Sequence, residues 1–250
     1  MSAPSALPVT PVAAYTQGHY VDSLFGCTII ATTPAGRPDL WARFLEGAHR
    51  SYTHHDVLPA LEHDTIRDGS TTALFFCAVD TSGAMLAGAR LQGPYSDARD
   101  THADIEWRHH PIGRMVLRRM VTERIARGVV ELKTGWVDST AARERHLADV
   151  IGYAGPLGCS LLGARYALVT AADHVLRMWQ STGAVTAESV EPAVYPDERY
   201  RTRALWWDLE NFRDRADPRH VRRIDDAAAQ LAHSWAATAV SDRSTRSLVR

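Results

Sequence analysis

The sequence predicts a mixed α+β fold, in which a mostly antiparallel central sheet contains one parallel pair of strands. Helices flank this sheet, and a C-terminal helix follows it. Short β-branched or aromatic runs alternate along the chain with segments of helical periodicity. Residues 74–91 read as a hairpin, which supplies antiparallel strands, and residues 129–170 read as strand, helix, strand, which supplies the parallel pair.

Composition limits the classes of function. Of the 250 residues, 45% are hydrophobic and 23% are charged, which is ordinary for a globular protein with one large domain. The formal net charge is -1, so no overall field favours nucleic acid or an anionic membrane. No stretch reaches the ~20 apolar residues of a membrane span, and the N-terminus lacks the basic start of a signal peptide. We therefore expect a soluble, cytoplasmic protein.

The N-terminal half predicts an arm, a strand, a helix and a hairpin. Residues 1–20 are rich in Ala, Pro and Thr and predict a flexible arm. A β-branched run at 27–32 ends at Pro34, which predicts the first strand. Apolar residues between Trp41 and Ala48 recur at i, i+3, i+4 and i+7, as on one face of a helix. Two apolar runs within 74–91 are joined by a polar turn and predict the hairpin.

The C-terminal half begins with an insert at about 95–128, which carries a helix from Pro111 to Arg127. The same two patterns predict strands at 129–137, 165–170 and 203–209, and helices at 147–154, 175–182 and 219–236. The expected organisation is the arm at 1–20, one domain at 21–212 with the insert inside it, and a helix and tail at 213–250.

Two stretches resemble the GNAT superfamily of N-acyltransferases, in its branch of acyl-homoserine-lactone synthases and N-acyl amino acid synthases. Residues Gly88 to Leu91 (GARL) are similar to the end of a hairpin in the acyl-homoserine-lactone synthases. In those proteins an insert then leads to a Glu-x-Ser-Arg strand, whose place Val130 to Thr134 takes here. Residues 166–184 are similar to the GNAT strand and helix that end before a Gly-Phe pair. The resemblance covers about Thr28 to Leu209.

The resemblance implies an acyl-binding cleft between two parting strands, with acyl-CoA or the phosphopantetheine of an acyl-carrier protein as co-substrate and no metal. A bulged strand would offer N–H groups to the thioester carbonyl, and the N-terminus of the next helix would face phosphate. The primary amine of a small molecule would attack the donor directly and take its acyl group, without a covalent enzyme intermediate. The residues expected at the donor are Thr134, Trp136, Ser139, Thr140, Arg143 and Trp179.

The strand at 129–137 also carries the candidate catalytic residues. Glu131 is the first candidate for a general base, because a carboxylate among apolar residues tends to have a raised pKa. A salt bridge with Lys133 or Arg90 is its structural alternative. Lys133, the only lysine in the chain, is the second candidate. Tyr52 and His55, at the end of the first helix, and Arg90 are expected to bind the acceptor.

Several alternatives stay open at this point. Trp179 stands where many GNAT enzymes have a Tyr that protonates the leaving thiolate, and their glycine-rich phosphate loop is not found after Trp136. A second register would place that loop at His110 to Arg114. His102, Asp104 and Glu106 occupy every second position, and the favoured interpretation is a solvent-facing edge of the insert.

The rival functions are an acetyltransferase with a short cleft and a catalytically silent module that binds an acyl carrier. The C-terminal helix would dock on the core or on a second subunit as a homodimer.

Overall fold

The computed structural model describes residues 17–139 and 146–247, with the side chains of the last helix described as far as Trp235. The strands are β1 (Gln17–Asp22), β2 (Cys27–Thr32), β3 (Leu74–Asp80), β4 (Met85–Gln92), β5 (Val129–Val137), β6 (Tyr166–Ala172), β7 (Val185–Thr186), β8 (Ala193–Val194) and β9 (Arg201–Asp208). The α-helices are α1 (Pro38–His54), α2 (His63–Ile66), α3 (His102–Glu106), α4 (Pro111–Ile125), α5 (His146–Leu162), α6 (Leu176–Ser181) and α7 (Pro218–Ser247).

The described strands form one mixed sheet in the order β1-β2-β3-β4-β5-β6-β9-β7, and β8 also pairs with β9. Strands β5 and β6 are parallel and are joined through α5, whereas the other pairs are antiparallel. The predicted fold class is therefore confirmed. The β3–β4 hairpin turns at Asp80, where one carboxylate oxygen accepts hydrogen bonds from the backbone N–H groups of Ser82 at 2.9 Å and Ala84 at 2.8 Å.

Helices cover both faces of the sheet, because consecutive residues of a strand point to opposite faces. Phe76 packs in the cluster shared with α5 and α7, while its neighbour Phe75 packs against α1. Trp136 of β5 lies on the α1 side, close to the backbone of Gly47. Helix α4 covers the remaining part, where Leu117 packs in one cluster with the β5, β6 and β9 strands. The centre of β5 is thus enclosed from both sides.

The first correction concerns the predicted arm at 1–20. Strand β1 already begins at Gln17 and pairs with β2 along its whole length. Helix α7 supports it from far along the chain, since Ser234 Oγ accepts from the His19 N–H at 2.9 Å. A short strand held by a helix more than two hundred residues away leaves no local signal. The rest of the arm, residues 1–16, lies outside the described residues.

Helix α7 docks on the core of its own chain. Ile224, Ala227 and Leu231 are buried in the same cluster as β1 and α5. At this contact Arg223 forms an ion pair with Asp22 at 3.0 Å. Of the two alternatives for this helix, docking on the core is therefore observed. No helix among the described residues is both long enough and apolar enough to cross a lipid bilayer.

Candidate active site

The parallel strands β5 and β6 separate halfway along their length. They pair only from Val129 to Leu132 with Tyr166 to Val169, although both strands continue beyond the last pair. The gap opens into a cleft of about 450 Å³. This volume is in the range of small-molecule sites, roughly 300–1,000 Å³. The structure therefore contains the parting strands that the resemblance implied.

A β-bulge faces the same cleft. Gly88 pairs with Trp136 and Arg90 pairs with Lys133, so Thr134 and Gly135 together stand opposite one residue of β4. Thr134 has a φ of 50°, which is uncommon for a residue other than glycine. The Arg90 Nε–H donates a hydrogen bond to Thr134 Oγ1 at 3.0 Å. The bulge removes backbone N–H groups from the regular ladder at two residues that line the cleft.

The cleft has two halves of different polarity, which lie on opposite faces of the sheet. Apolar side chains of β5, β6, α5 and α6 line one half. They include Val137, Ile151, Val169, Met178 and Trp179. Charged and polar side chains line the other half, beside α3 and the end of α1. They include Tyr52, Glu62, Arg90, His102, Glu106, Lys133 and Tyr195.

The charged half is organised around a line of four ionisable groups. Lys133 Nζ forms an ion pair with Glu106 Oε1 and donates to Thr170 Oγ1 at 3.1 Å. Glu106 Oε1 lies 3.0 Å from His102 Nδ1, and His102 Nε2 lies 3.0 Å from Glu62 Oε2. The Glu106 side chain is 1% exposed, whereas that of Glu62 is 32% exposed. The line therefore runs from the interior of the cleft toward solvent.

The neighbours of each group decide its charge. Burial acts most strongly on Glu106 and would raise its pKa, but Lys133 and His102 together lower that pKa to about 2. Burial would lower the pKa of Lys133, yet the Glu106 carboxylate raises it above the ordinary value. For His102, burial and the charge of Lys133 lower the pKa. Its hydrogen bonds to Glu106 and Glu62 raise the pKa by more than that, so the net shift is upward. The groups thus favour two carboxylates, an ammonium and an imidazolium.

One oxygen of the Glu106 carboxylate has hydrogen-bonding capacity that the described residues leave unused. Its Oε2 atom is buried and has no hydrogen-bond partner among the described residues. Glu106 belongs to the cleft lining, and an ionised carboxylate oxygen can only accept hydrogen bonds. A group that donates N–H bonds, such as an amine or ammonium, would satisfy it.

The prediction of Glu131 as the general base needs correction. Glu131 is fully buried and lies outside the cleft lining. Its Oε2 accepts from His102 N at 2.7 Å and from Tyr95 Oη at 2.9 Å, and its Oε1 accepts from Ala103 N at 2.9 Å. The carboxylate therefore binds the N-terminal N–H groups of α3. It positions His102 and Glu106 instead of facing a substrate.

Most of the other predicted residues meet in the cleft. Lys133 and Arg90 line its charged half. The cleft lining also includes Tyr52, His55, Thr134, Trp136 and Trp179. Ser139 is exposed and lies outside this lining, and its contact with phosphate stays a prediction. Thr140 and Arg143 lie outside the described residues.

The residues that the sequence interpretation missed come from the insert and from the loop before α2. His102, Asp104 and Glu106 are buried on a helix, so the predicted solvent-facing edge is wrong. Two signals were present: Thr101 caps the helix by accepting from the Asp104 N–H, and the His102 and Glu106 side chains are four residues apart. Glu62 lies in a loop and left no such signal.

The second register for the phosphate loop, at His110 to Arg114, does not fit this arrangement. Arg114 pairs with Asp104 of α3, and Arg118 of α4 pairs with the same carboxylate. Helix α4 precedes β5 in the chain, whereas the helix that follows the parting strand is α5. We therefore keep the first register.

This architecture is the GNAT fold of N-acyltransferases. The solved structure of FeeM, an N-acyl amino acid synthase from uncultured soil microbes, matches with a TM-score of 0.52 and 10% identity, over 78% of this chain and 97% of FeeM. The apo form of TofI matches with a TM-score of 0.50 and 18% identity, over 81% of this chain and 98% of TofI. At these identities the likeness shows the fold alone. No protein-family model matches the chain.

Two mycobacterial proteins are similar in sequence. The uncharacterized protein Rv1356c of Mycobacterium tuberculosis H37Rv is 43% identical over 198 residues, which are 79% of this chain and 75% of that protein. The uncharacterized protein Mb1391c of Mycobacterium bovis gives the same values. The chain belongs to the family of these mycobacterial proteins.

Removing Lys133 should destabilise the fold, because Glu106 would lose its main buried counter-charge. We expect Lys133→Met to lower the free energy of unfolding by about 3 kcal/mol, as for other broken buried pairs. Adding Glu106→Leu to this variant should recover most of the lost stability. The control Arg213→Met breaks a surface pair with Asp225 and should lower the free energy of unfolding by less than about 1 kcal/mol. Urea denaturation of the four proteins measures these values. Equal stability of Lys133→Met and wild type would contradict the ion pair.

The raised pKa of His102 predicts a specific pH dependence. A group whose pKa is higher in the folded state stabilises the fold fully below its unfolded pKa, about 6.5 for His, and loses that contribution as pH rises through the folded value. The stability advantage of wild type over His102→Gln should therefore shrink as pH rises above about 6.5. Urea denaturation between acidic and alkaline pH measures this difference. An advantage that is constant with pH would show that folding does not raise the pKa of His102.

Proposed function

We propose that the protein is an N-acyltransferase, which moves a medium or long acyl group from acyl-CoA or an acyl-carrier protein to the primary amine of a small molecule. Donor and acceptor would meet in one ternary complex. The observation that carries this proposal is the single cleft, which runs through the parting of β5 and β6 from an apolar half to a charged half. A thioester with its acyl chain suits the first half, and an amine suits the second.

The apolar half supports the assignment of the donor. An acyl chain between α5 and α6 would contact Ile151 and Met178. The bulge at Thr134 and Gly135 lies where the two halves meet. Its N–H groups would stabilise the oxyanion that forms on the thioester carbonyl, in the way fixed backbone dipoles do in other acyl transfers.

The charged half supports the assignment of the acceptor. Glu106 Oε2 would accept an N–H bond from the amine and orient its lone pair toward the thioester carbon. The new C–N bond then forms as the C–S bond breaks, and the thiolate leaves. The acceptor enters as an ammonium and loses two protons in the reaction. One protonates the leaving thiolate, and the other is released to solvent. The His102–Glu62 pair lies along the route from Glu106 to solvent.

Trp179 supports a second candidate, a silent module that only binds an acyl carrier. It lines the cleft at the position of the usual acid, and its indole N–H has no hydrogen-bond partner among the described residues. An indole can donate a hydrogen bond to sulfur but cannot protonate a thiolate. Turnover separates this candidate from the enzyme.

The melting temperature, measured with a series of donors of increasing acyl length, tests the proposal. We expect CoA and acyl-CoA with two, eight and twelve acyl carbons, together with an acylated carrier protein, to raise the melting temperature. A ligand at a hundred times its Kd stabilises the fold by about 2.7 kcal/mol. The shift should grow with acyl length, because each added methylene buries more apolar surface. No shift with any of these ligands would contradict an acyl-carrier site.

Turnover is then measured as amine-dependent release of free thiol. Glu106→Gln should keep the donor-induced shift in melting temperature. It should lower turnover by about a hundredfold, which is typical for the loss of a side chain that contacts the reacting amine. Glu123→Gln, at an exposed position of α4, is the matched control and should change neither quantity. Donor binding without thiol release on any amine would support the silent module.

A further inference from the structure

We infer that His102 is a pH-sensitive latch at the solvent end of the charged half of the cleft. It holds Glu62 in place while its ring carries two protons, and it releases Glu62 when the ring is neutral. This inference goes beyond the proposed function, because it concerns access to the cleft and applies to any ligand of that half. The arrangement of three side chains, Glu106, His102 and Glu62, carries it.

The imidazole ring of His102 lies between two carboxylates. Its Nδ1 lies 3.0 Å from Glu106 Oε1, and its Nε2 lies 3.0 Å from Glu62 Oε2. An ionised carboxylate oxygen can only accept hydrogen bonds, so each contact requires a hydrogen on the ring nitrogen. An imidazolium has two N–H groups, whereas a neutral imidazole has one. The charged ring therefore satisfies both carboxylates, and a neutral ring turns a lone pair toward one of them.

The surroundings of the two carboxylates decide which one is released. Glu106 is buried and also pairs with Lys133, so the loss of its contact with the ring would leave a buried oxygen without a donor. Glu62 is about one-third exposed, so water can replace the ring at its carboxylate. A neutral ring should therefore keep its hydrogen on Nδ1, toward Glu106. The lone pair on Nε2 then faces Glu62 and repels it.

The backbone at Glu62 also favours release. Its φ of 50° lies in the left-handed region, which residues other than glycine rarely adopt. Such a conformation persists only where the surrounding contacts hold it. The preceding residue, Leu61, is buried in the cluster under α1. Glu62 O accepts the N–H groups of Thr65 and Ile66 in α2. Release should therefore move Glu62 and loosen the start of α2, while Leu61 stays in place.

The other titratable and charged groups around the ring keep their charge while His102 titrates. These groups are Lys133 and Glu131 of β5, Tyr95 of the segment before α3, and Tyr195 of the segment before β9. Glu131 accepts a hydrogen bond from the His102 backbone N–H and not from the ring. Burial raises the pKa of both tyrosines, so their hydroxyl groups stay neutral in this range.

The net charge balance sets the direction of the switch. Burial and the charge of Lys133 lower the pKa of His102, and the carboxylates of Glu106 and Glu62 raise it by more. The ring therefore loses its proton at a pH above the ordinary value for histidine, about 6.5. The latch is closed below this transition and open above it.

Backbone hydrogen exchange tests the latch. In wild type, the protection of the Thr65 and Ile66 amides should fall about tenfold between about pH 6 and about pH 10, after correction for the intrinsic effect of pH. This factor corresponds to one hydrogen bond to a charged group. Glu62→Gln should keep equal protection at both pH values, because an amide can accept from the charged ring and donate to the neutral one. Glu123→Gln, at an exposed position, is the control and should behave as wild type.

Exchange of the Lys133 ammonium protons with solvent tests access to the charged half. Lys133 lies at the inner end of the line of ionisable groups and lines the cleft. With ¹⁵N-labelled lysine, wild type and Glu62→Gln should exchange at equal rates at acidic pH. At alkaline pH wild type should exchange about tenfold faster, because the open latch admits water. Comparing the two proteins at one pH removes the intrinsic effect of pH on exchange.

His102→Gln identifies the group that titrates, and its amide protection should be independent of pH. His55 of the cleft lining and His63, which follows Glu62, remain in both variants. A loss of protection at alkaline pH that persists in Glu62→Gln or His102→Gln would therefore overturn the inference. Constant protection in wild type would overturn it too, as would equal Lys133 exchange in wild type and Glu62→Gln at alkaline pH. No acyl donor is used, so failure of the proposed N-acyltransferase activity would leave this test intact.

Discussion

The buried ion pair between Lys133 and Glu106 joins the two parts of the molecule that form the site. Lys133 belongs to the central strand β5, whereas Glu106 ends the short helix α3 of the insert. Two buried ions are tolerated only when geometry and additional hydrogen bonds compensate for their lost hydration. Thr170 and His102 supply such bonds here. Glu131 in turn fixes the start of α3, so the residue expected to act as base instead holds the helix that carries Glu106 in place.

The same pair lies at the point where β5 and β6 part. Lys133 follows Leu132, the last residue of β5 that pairs with β6, and reaches Thr170 across the widening gap. One residue further, the bulge at Thr134 changes which side chains face α1 and which face α5. A single opening in the sheet therefore receives an apolar lining from one face and a charged lining from the other. This division of polarity is what an acyl group and an amine need in order to meet.

Periodicity in the sequence was enough to predict the hairpin, the parallel crossover and the docking of α7 on the core as one of two alternatives. It missed β1, because Gln17–Asp22 depends on a helix distant in the sequence. For the site, Lys133 was singled out as the only lysine, but Glu131 was expected to be the base, and the insert that carries Glu106 was expected to be a solvent-facing edge. Burial of Glu106 depends on how α3 lies against β5, which is a tertiary property. No local pattern carries that information.

Lys133 also offers the most direct measurement, since it is the only lysine among 28 Lys and Arg residues. Protein made with lysine labelled at ¹³Cε and ¹⁵Nζ should give one ammonium signal by nuclear magnetic resonance. We predict that this signal exchanges slowly, that its pKa lies above the ordinary value of about 10.4 because of Glu106, and that it shifts when an acyl-CoA and a primary amine bind together. A rapidly exchanging signal with an ordinary pKa, unchanged by both ligands, would contradict the buried pair and the catalytic cleft built around it.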